Sequence, residues 1–175
     1  MNLLIISASL NPESYSRTLA REARRVLVDA GRNVTFLDLR DYPLPLCDGD
    51  KAYEHENVRR VNAFIAAADG IIVASPIYNY DANAALKNLI ELTGKGWENK
   101  IASFLCTAGG PSSYMGIMAL ANSLMLDFRT VIVPRFVYAT GASFAGETIT
   151  DAKIAARVAD CAHETARIAS ALRPE

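Results

Sequence analysis

Three short segments carry the residue types that could do chemistry. The first reads Ser7-Ala8-Ser9-Leu10-Asn11-Pro12-Glu13-Ser14-Tyr15-Ser16-Arg17-Thr18. It joins an apolar run to a helical pattern, so hydroxyls and backbone N–H groups converge on a helix N-terminus, where the dipole favours an anion. Arg17 lies in that first turn, an unfavourable place for a cation unless an anion sits beside it. The chemistry implied is a phosphate cradle. It is neither a Walker loop, which needs Gly-Lys-Ser/Thr, nor a Gly-x-Gly-x-x-Gly loop. A plainer reading makes Ser14 an N-cap and the other hydroxyls turn formers. The second segment is Ser75-Pro76-Ile77-Tyr78-Asn79-Tyr80-Asp81. Its tyrosines and isoleucine offer flat apolar surface to a ring, and its backbone N–H groups can bond the polar edge of a heterocycle. The competing reading is a strand-to-helix loop with Asp81 as the N-cap. The third is Thr107-Ala108-Gly109-Gly110-Pro111-Ser112-Ser113-Tyr114. Its paired glycines admit close approach of a planar ligand to the backbone; alternatively, Ser112 or Ser113 simply caps a helix.

The elements that must position these loops follow from hydrophobic periodicity. Short apolar runs at Leu3–Ala8, Asn33–Asp38, Ile71–Ser75, Ile101–Thr107 and Thr130–Tyr138 are predicted to be strands. Helices are predicted from Leu19 to Ala30 (stopped by Gly31), from about Glu54 to Ala68, from Ala82 to Gly94, from Ser113 to Phe128, and from Ile154 to Leu172. Residues 39–53 are expected to form a loop, and the remaining linkers are short. Alternation of strands with helices implies parallel pairing with helices on both faces. Pro134 cannot donate to a ladder and places the fifth strand at an edge. The polar second strand suits the other edge. The expected architecture is therefore α/β: a three-layer, doubly wound sandwich on a five-stranded parallel sheet of order 2-1-3-4-5, with residues 1–175 as one domain. In that topology ligands bind outside the carboxyl ends of the strands, where all three loops lie.

Composition narrows the function classes. The chain has 175 residues and a formal net charge of -1, so nothing points to a nucleic-acid surface. Three cysteines, Cys47, Cys106 and Cys161, are too scattered for a disulfide framework or metal-ligand spacing, which suggests a reducing, cytoplasmic compartment and no metal. The Leu3-Leu4-Ile5-Ile6 run is too short for a signal peptide, and no run approaches membrane-spanning length. His55 and His163 are expected to be surface residues. Trp97 is expected to pack a helix end, and Cys106 to behave as a small hydrophobe.

The segments quoted above resemble the NADPH-dependent FMN reductase family, which includes quinone, azo-dye and chromate reductases of flavodoxin-like fold. The resemblance runs from about Leu3 to Tyr138. It rests on Ser9-x-x-x-x-Ser14, Asp38-Leu39 with the Pro-Leu-Pro stretch, Ser75-Pro76-x-Tyr78-Asn79, Leu86-Lys87-Asn88, Trp97-x-x-Lys100 and Ala108-Gly109-Gly110. It implies that Ser9, Ser14 and Ser16, with neighbouring amides including that of Tyr15, hold the FMN phosphate. Pro76, Ile77, Tyr78, Asn79 and Tyr80 would border the isoalloxazine, with Ala108, Gly109, Gly110 and Tyr114 at its other edge. Asn11 stands where many members carry an arginine, and Arg17 is expected to substitute as the charge partner of the phosphate. Asn83-Ala84-Ala85 stand where many carry Pro-Gly. The side chains of Ser9 and Ser16 are expected to lie outside the core.

The function so implied is an FMN-dependent NAD(P)H oxidoreductase passing electrons to a flavin, quinone or similar small acceptor, with no obligatory acid or base. A single phosphate cradle, without a second Gly-rich fingerprint, favours FMN over FAD. Two rivals remain: a flavodoxin-type electron carrier, though such carriers are usually acidic, and a nucleotide-binding regulatory module that has lost flavin. A homodimer or homotetramer is expected as well. Along residues 113–128, Ile117, Ala121, Leu124 and Phe128 suffice to cover the sheet, yet Tyr114, Met118 and Met125 form a second apolar stripe.

Overall fold

The computed structural model describes residues 1–172. The strands are β1 (Asn2–Ser7), β2 (Asn33–Asp38), β3 (Gly70–Tyr78), β4 (Asp81–Ala82), β5 (Ile101–Ala108), β6 (Val131–Ile132), β7 (Val137–Thr140), β8 (Phe144–Ala145) and β9 (Thr148–Ile149). The helices are α1 (Tyr15–Asp29), α2 (Glu56–Ala67), α3 (Ala84–Thr93), α4 (Met118–Phe128) and α5 (Ala152–Ala171). The main sheet runs β2-β1-β3-β5 with β6 and β7 sharing the last position, every one of these pairings parallel. This is the expected 2-1-3-4-5 order.

The unbroken apolar strands are explained by burial on both faces. On one, Leu4, Ile6, Ile71, Val73 and Phe104 pack against Val61 and Ile65 of α2, Leu86 and Leu89 of α3, and Leu120 and Leu124 of α4. On the other, Leu3, Ile5, Ile72, Ala74 and Leu105 meet Leu19 and Ala23 of α1 and Val158 and Ala162 of α5. Each central strand thus fills two cores at once, which its lack of polar alternation requires.

Several boundaries differ from expectation. The fifth strand is split: Val133 still donates to the Ala102 carbonyl, Pro134–Phe136 separate β6 from β7, and Arg135 takes a positive φ of 66°. Pro134 supplies no donor there, so the edge strand breaks and resumes. The third strand runs on to Tyr78, so Pro76 and Ile77, expected in a loop, are strand residues. Tyr78 then turns back through Asn79 and Tyr80 into β4, which pairs antiparallel with the end of β3. Asn79 and Tyr80 have φ of 51° and 65°, the two consecutive positive values of a tight type I′ hairpin. The helix expected from Ser113 is a short 3₁₀ turn at Pro111–Ser113, with α4 proper beginning at Met118. The β8–β9 hairpin was not anticipated; strands of two residues carry almost no periodicity.

Candidate functional site

The first loop is built around Arg17, whose side chain the structure turns inward and away from the role expected of it from sequence. Arg17 is only 3% exposed. Its Nε and Nη2 donate to the Asp38 carboxylate at 2.6 and 3.3 Å. Nη2 also reaches the Ser9 carbonyl at 2.8 Å, while Nη1 donates to the carbonyls of Asn11 and Pro12 at 2.7 and 3.1 Å. A guanidinium has five N–H donors, and these contacts use all of them. Arg17 therefore folds the loop, with every one of its N–H donors already committed within the chain. Its cation is neutralised by Asp38 at the end of β2, which removes the conflict with the helix dipole.

What the loop presents outward is its helix terminus. Ser14 is the N-cap of α1, its Oγ accepting from the Arg17 N–H. The Ser14 and Ser16 hydroxyls lie 2.9 Å apart. With Ser16 as the donor, Ser14 keeps its own proton for an outside acceptor. The amides of Tyr15 and Ser16 belong to the first turn, where a helix supplies no acceptor of its own. The Ser9 Oγ accepts from the Asn11 N–H, and the Asn11 Oδ1 from the Glu13 N–H, so both brace the loop from within. Ser9 and Ser16 are 1% and 0% exposed, which corrects the expectation that they lie outside the core. The Tyr15 ring is stacked on Phe144 of β8, with centroids 4.5 Å apart and planes 15° apart.

The three loops meet at the carboxyl end of the sheet. The Ala8 N–H donates to the Ala74 carbonyl at 2.9 Å, joining β1 to β3 at the entry to the first loop. Asn83, immediately before α3, donates to the Ala8 carbonyl at 2.8 Å and accepts from the Ser75 hydroxyl at 3.0 Å. The second and third loops touch at Gly116, where an added Cβ would lie 2.7 Å from Ile77 Cγ2 and 3.1 Å from the Tyr80 carbonyl carbon. Only glycine allows that approach. Tyr78, Asn79 and Tyr80 are exposed at the hairpin tip. Beside them a Cβ added at Gly109 or Gly110 would meet nothing within 4 Å, so that backbone faces open space. The turn is backed by Tyr138, whose hydroxyl donates to the Gly110 carbonyl, and by Tyr114, whose ring packs on Phe136 and Tyr138 with centroids 5.0 and 5.4 Å away.

Two clefts flank this region. One, of about 550 Å³, runs between Leu10, Leu39, Tyr42, Leu44 and Leu46 and the start of α3. The other, of about 490 Å³, lies between the hairpin residues Tyr78 and Asn79 and Lys87, Leu120 and Ser123. The first escaped sequence reasoning because half of it comes from the 39–46 segment, which looked like plain loop. Asn88 shapes that segment: its carboxamide donates to the Pro45 carbonyl and accepts from the Cys47 N–H, at 2.9 and 2.8 Å. The rest of the Leu86-Lys87-Asn88 motif is structural, with Leu86 in the core and Lys87 paired to Glu91. Lys100 likewise caps the end of α2, donating to the carbonyls of Ala66 and Ala68. Among the described residues no cluster of His, Cys, Asp or Glu could hold a metal, and no helix is long and apolar enough to cross a membrane.

A doubly wound sheet with an anion-ready helix terminus and open backbone at its carboxyl ends defines a flavodoxin-like, nucleotide-binding α/β domain. The apo form of an NADH:FMN oxidoreductase has this fold, with a TM-score of 0.76 over 99% of this chain and 91% of that one, at 19% identity. The sequence profile of the NADPH-dependent FMN reductase family matches residues 1–145, and the chain belongs to that family. It is 29% identical over 148 residues to an NAD(P)H-dependent FAD/FMN reductase of Geobacillus thermodenitrificans, covering 80% of each chain. It is 32% identical to an NADPH:quinone oxidoreductase of Arabidopsis thaliana, over 60% of this chain and 57% of that one; the chain thus spans little more than half of the plant protein.

Proposed function

We propose that this protein is an FMN-dependent NAD(P)H oxidoreductase that delivers electrons to a small flavin- or quinone-like acceptor. The observation that carries this reading is the family match over residues 1–145, which contains all three loops described above. The donor set fits FMN. Amides of Tyr15 and Ser16 and the Ser14 hydroxyl would take the phosphate, with the helix dipole supplying the positive end. Ser9 and Arg17 would hold the loop in shape. Pro76, Ile77, Tyr78, Asn79 and Tyr80 would form one wall for the ring, and the open backbone of Ala108–Gly110 would meet its polar edge. Bound FMN would supply the redox chemistry, carrying two electrons from a nicotinamide donor to the acceptor. The protein would bind and orient the group: the hairpin packs closely against Gly116, and backbone amides of the Ala108–Gly110 turn would donate to the polar edge of the ring.

The test is reconstitution with FMN or FAD, chromatographic identification of the retained flavin, and steady-state oxidation of NADH and NADPH with a quinone. Retention of FMN with turnover is expected. Retention of FAD alone, or of no flavin, overturns the cofactor reading; bound FMN without turnover favours an electron carrier.

We also infer a homo-oligomer, at least a dimer, and a reducing, cytoplasmic setting consistent with free cysteines. Ile117, Ala121 and Leu124 are buried on the sheet side of α4, while Met118 and Met125 are each 41% exposed and Leu126 is 77% exposed. Tyr114 and Met115 add to this apolar surface beside the third loop. Burying it in a second copy would remove it from water. Light scattering tests this: a dimer or tetramer is expected, Met118→Glu with Met125→Glu should shift it to monomer, and a monomeric wild type overturns it.

A further inference from the structure

We propose that Asn83 is a positioning residue for the flavin site: its carboxamide joins the start of the phosphate loop to the end of β3 and so sets the distance between the phosphate cradle and the ring hairpin. The inference rests on the FMN-binding reading. Asparagine at an N-cap ordinarily spends its side-chain oxygen on the first turn of its own helix. Ser14 and Asp151 do so through oxygen at the starts of α1 and α5, and His55 does the same through Nδ1 at the start of α2. Asn83 occupies the N-cap of α3 and makes no such bond. Its side chain is turned inward, and the residue is only 5% exposed. Nδ2 donates to the Ala8 carbonyl, 75 residues away, and Oδ1 accepts from the buried Ser75 hydroxyl. The Ala8 carbonyl can only accept, so the orientation of the amide is determined.

The two partners stand at decisive places. Ala8 immediately precedes the Ser9–Ser16 cradle, and Ser75 immediately precedes Pro76 and the hairpin. One rigid planar group spans the gap between them. At the same height the Ala8 N–H donates to the Ala74 carbonyl, which fixes the strands, and the Ser75 hydroxyl, shared between Asn83 Oδ1 and the Pro76 carbonyl 2.9 Å away, carries the link on to the first residue of the hairpin. Loss of the amide would leave the Ala8 carbonyl and Ser75 hydroxyl to re-pair, and the two loops to drift relative to one another.

The backbone at Asn83 permits a discriminating variant. Its φ of -64° is that of proline, and its residue number places it just ahead of a helix, where proline is tolerated. Asn83→Pro therefore keeps the local chain path while deleting the amide. Asn83→Ala and Ser75→Ala complete the set; the serine variant removes one partner with minimal change of shape and remains informative should the Asn83 variants fold poorly. Three readouts are taken: FMN affinity of the folded apoprotein by fluorescence titration, the visible spectrum of bound FMN, and amide hydrogen exchange of residues 9–16 without flavin. Expected for Asn83→Pro and Asn83→Ala are an FMN Kd raised about tenfold, the scale of one buried hydrogen bond, a shifted flavin spectrum, and faster exchange in the loop. Ser75→Ala should fall between these and wild type. A merely structural role would lower the thermal midpoint and leave Kd, spectrum and loop exchange as in wild type; that result overturns the proposal. If wild type itself binds no FMN, the cofactor reading fails instead, and unchanged loop exchange in the variants then overturns the link on its own.

Discussion

Replacing Arg17 by methionine removes the donors that hold the phosphate loop together while keeping most of the side-chain volume. The structure allows the consequence to be sized. The guanidinium is almost wholly buried, its Asp38 partner is 14% exposed, and three loop carbonyls share the remaining N–H groups. Breaking a buried pair by removing one member costs about 3–5 kcal/mol, because the surviving charge is left without compensation. Against a total stability of roughly 5–15 kcal/mol that is a large fraction. With a urea slope of about 2 kcal/mol per molar, the unfolding midpoint should fall by roughly 2 M. Asp38→Leu added to Arg17→Met should recover part of the loss, since no charge then stays buried, while the carbonyls of Ser9, Asn11 and Pro12 still lack their donor and the Arg40 N–H loses its acceptor. FMN affinity should fall in the single variant through disorder of the loop, and wild-type affinity should depend only weakly on salt, because the Arg17 cation is already neutralised by Asp38. The opposite pattern would refute the reasoning: an unchanged urea midpoint in Arg17→Met, with a steep salt dependence of FMN binding in wild type that the variant abolishes. That outcome would return Arg17 to the phosphate.

Ser14→Ala should lose both the helix cap and the outward hydroxyl, lowering stability by about 1 kcal/mol and weakening FMN by about tenfold; equal affinity in a titration would move the phosphate elsewhere. Gly116→Ala must displace Ile77 or the hairpin, because its Cβ would fall 2.7 Å from Ile77 Cγ2. A loss of about 1–3 kcal/mol in denaturant unfolding is expected, and an unperturbed midpoint would show that the second and third loops are not in contact. Burial pushes the thiols of Cys106 and Cys161 up, whereas Cys47 is half-buried. A disulfide reagent should therefore modify Cys47 alone in the native protein and the other two only after unfolding; prompt reaction of all three would contradict the packing of both cores.

The sequence by itself determined the five main strand segments, the helices between them, and the order in which they lie, though not β4 or the β8–β9 hairpin. Leu3–Ile6, Ile71–Ala74 and Ile101–Leu105 are apolar without alternation, and a strand of that kind can only be covered on both faces. Right-handed crossovers then leave the loops after β1, β3 and β5 at one end of the sheet, so the location of the site was legible as well. The tertiary structure decided what the polar groups do. Arg17 looked available in the first turn of α1; its true partner, Asp38, is 21 residues on, at the tip of a neighbouring strand. Asp81 read as the candidate cap of the next helix; it lies in β4 instead, and Asn83, which stands at the cap position, commits its amide to Ala8 and Ser75. Gly116 had no evident purpose until Ile77 and Tyr80 were found against it. The physical reason is one of range. Apolar periodicity is a local signal that selects a buried face, and many partners satisfy it equally. A buried donor or acceptor needs one particular partner at hydrogen-bond distance, and only the folded chain determines which distant residue arrives there.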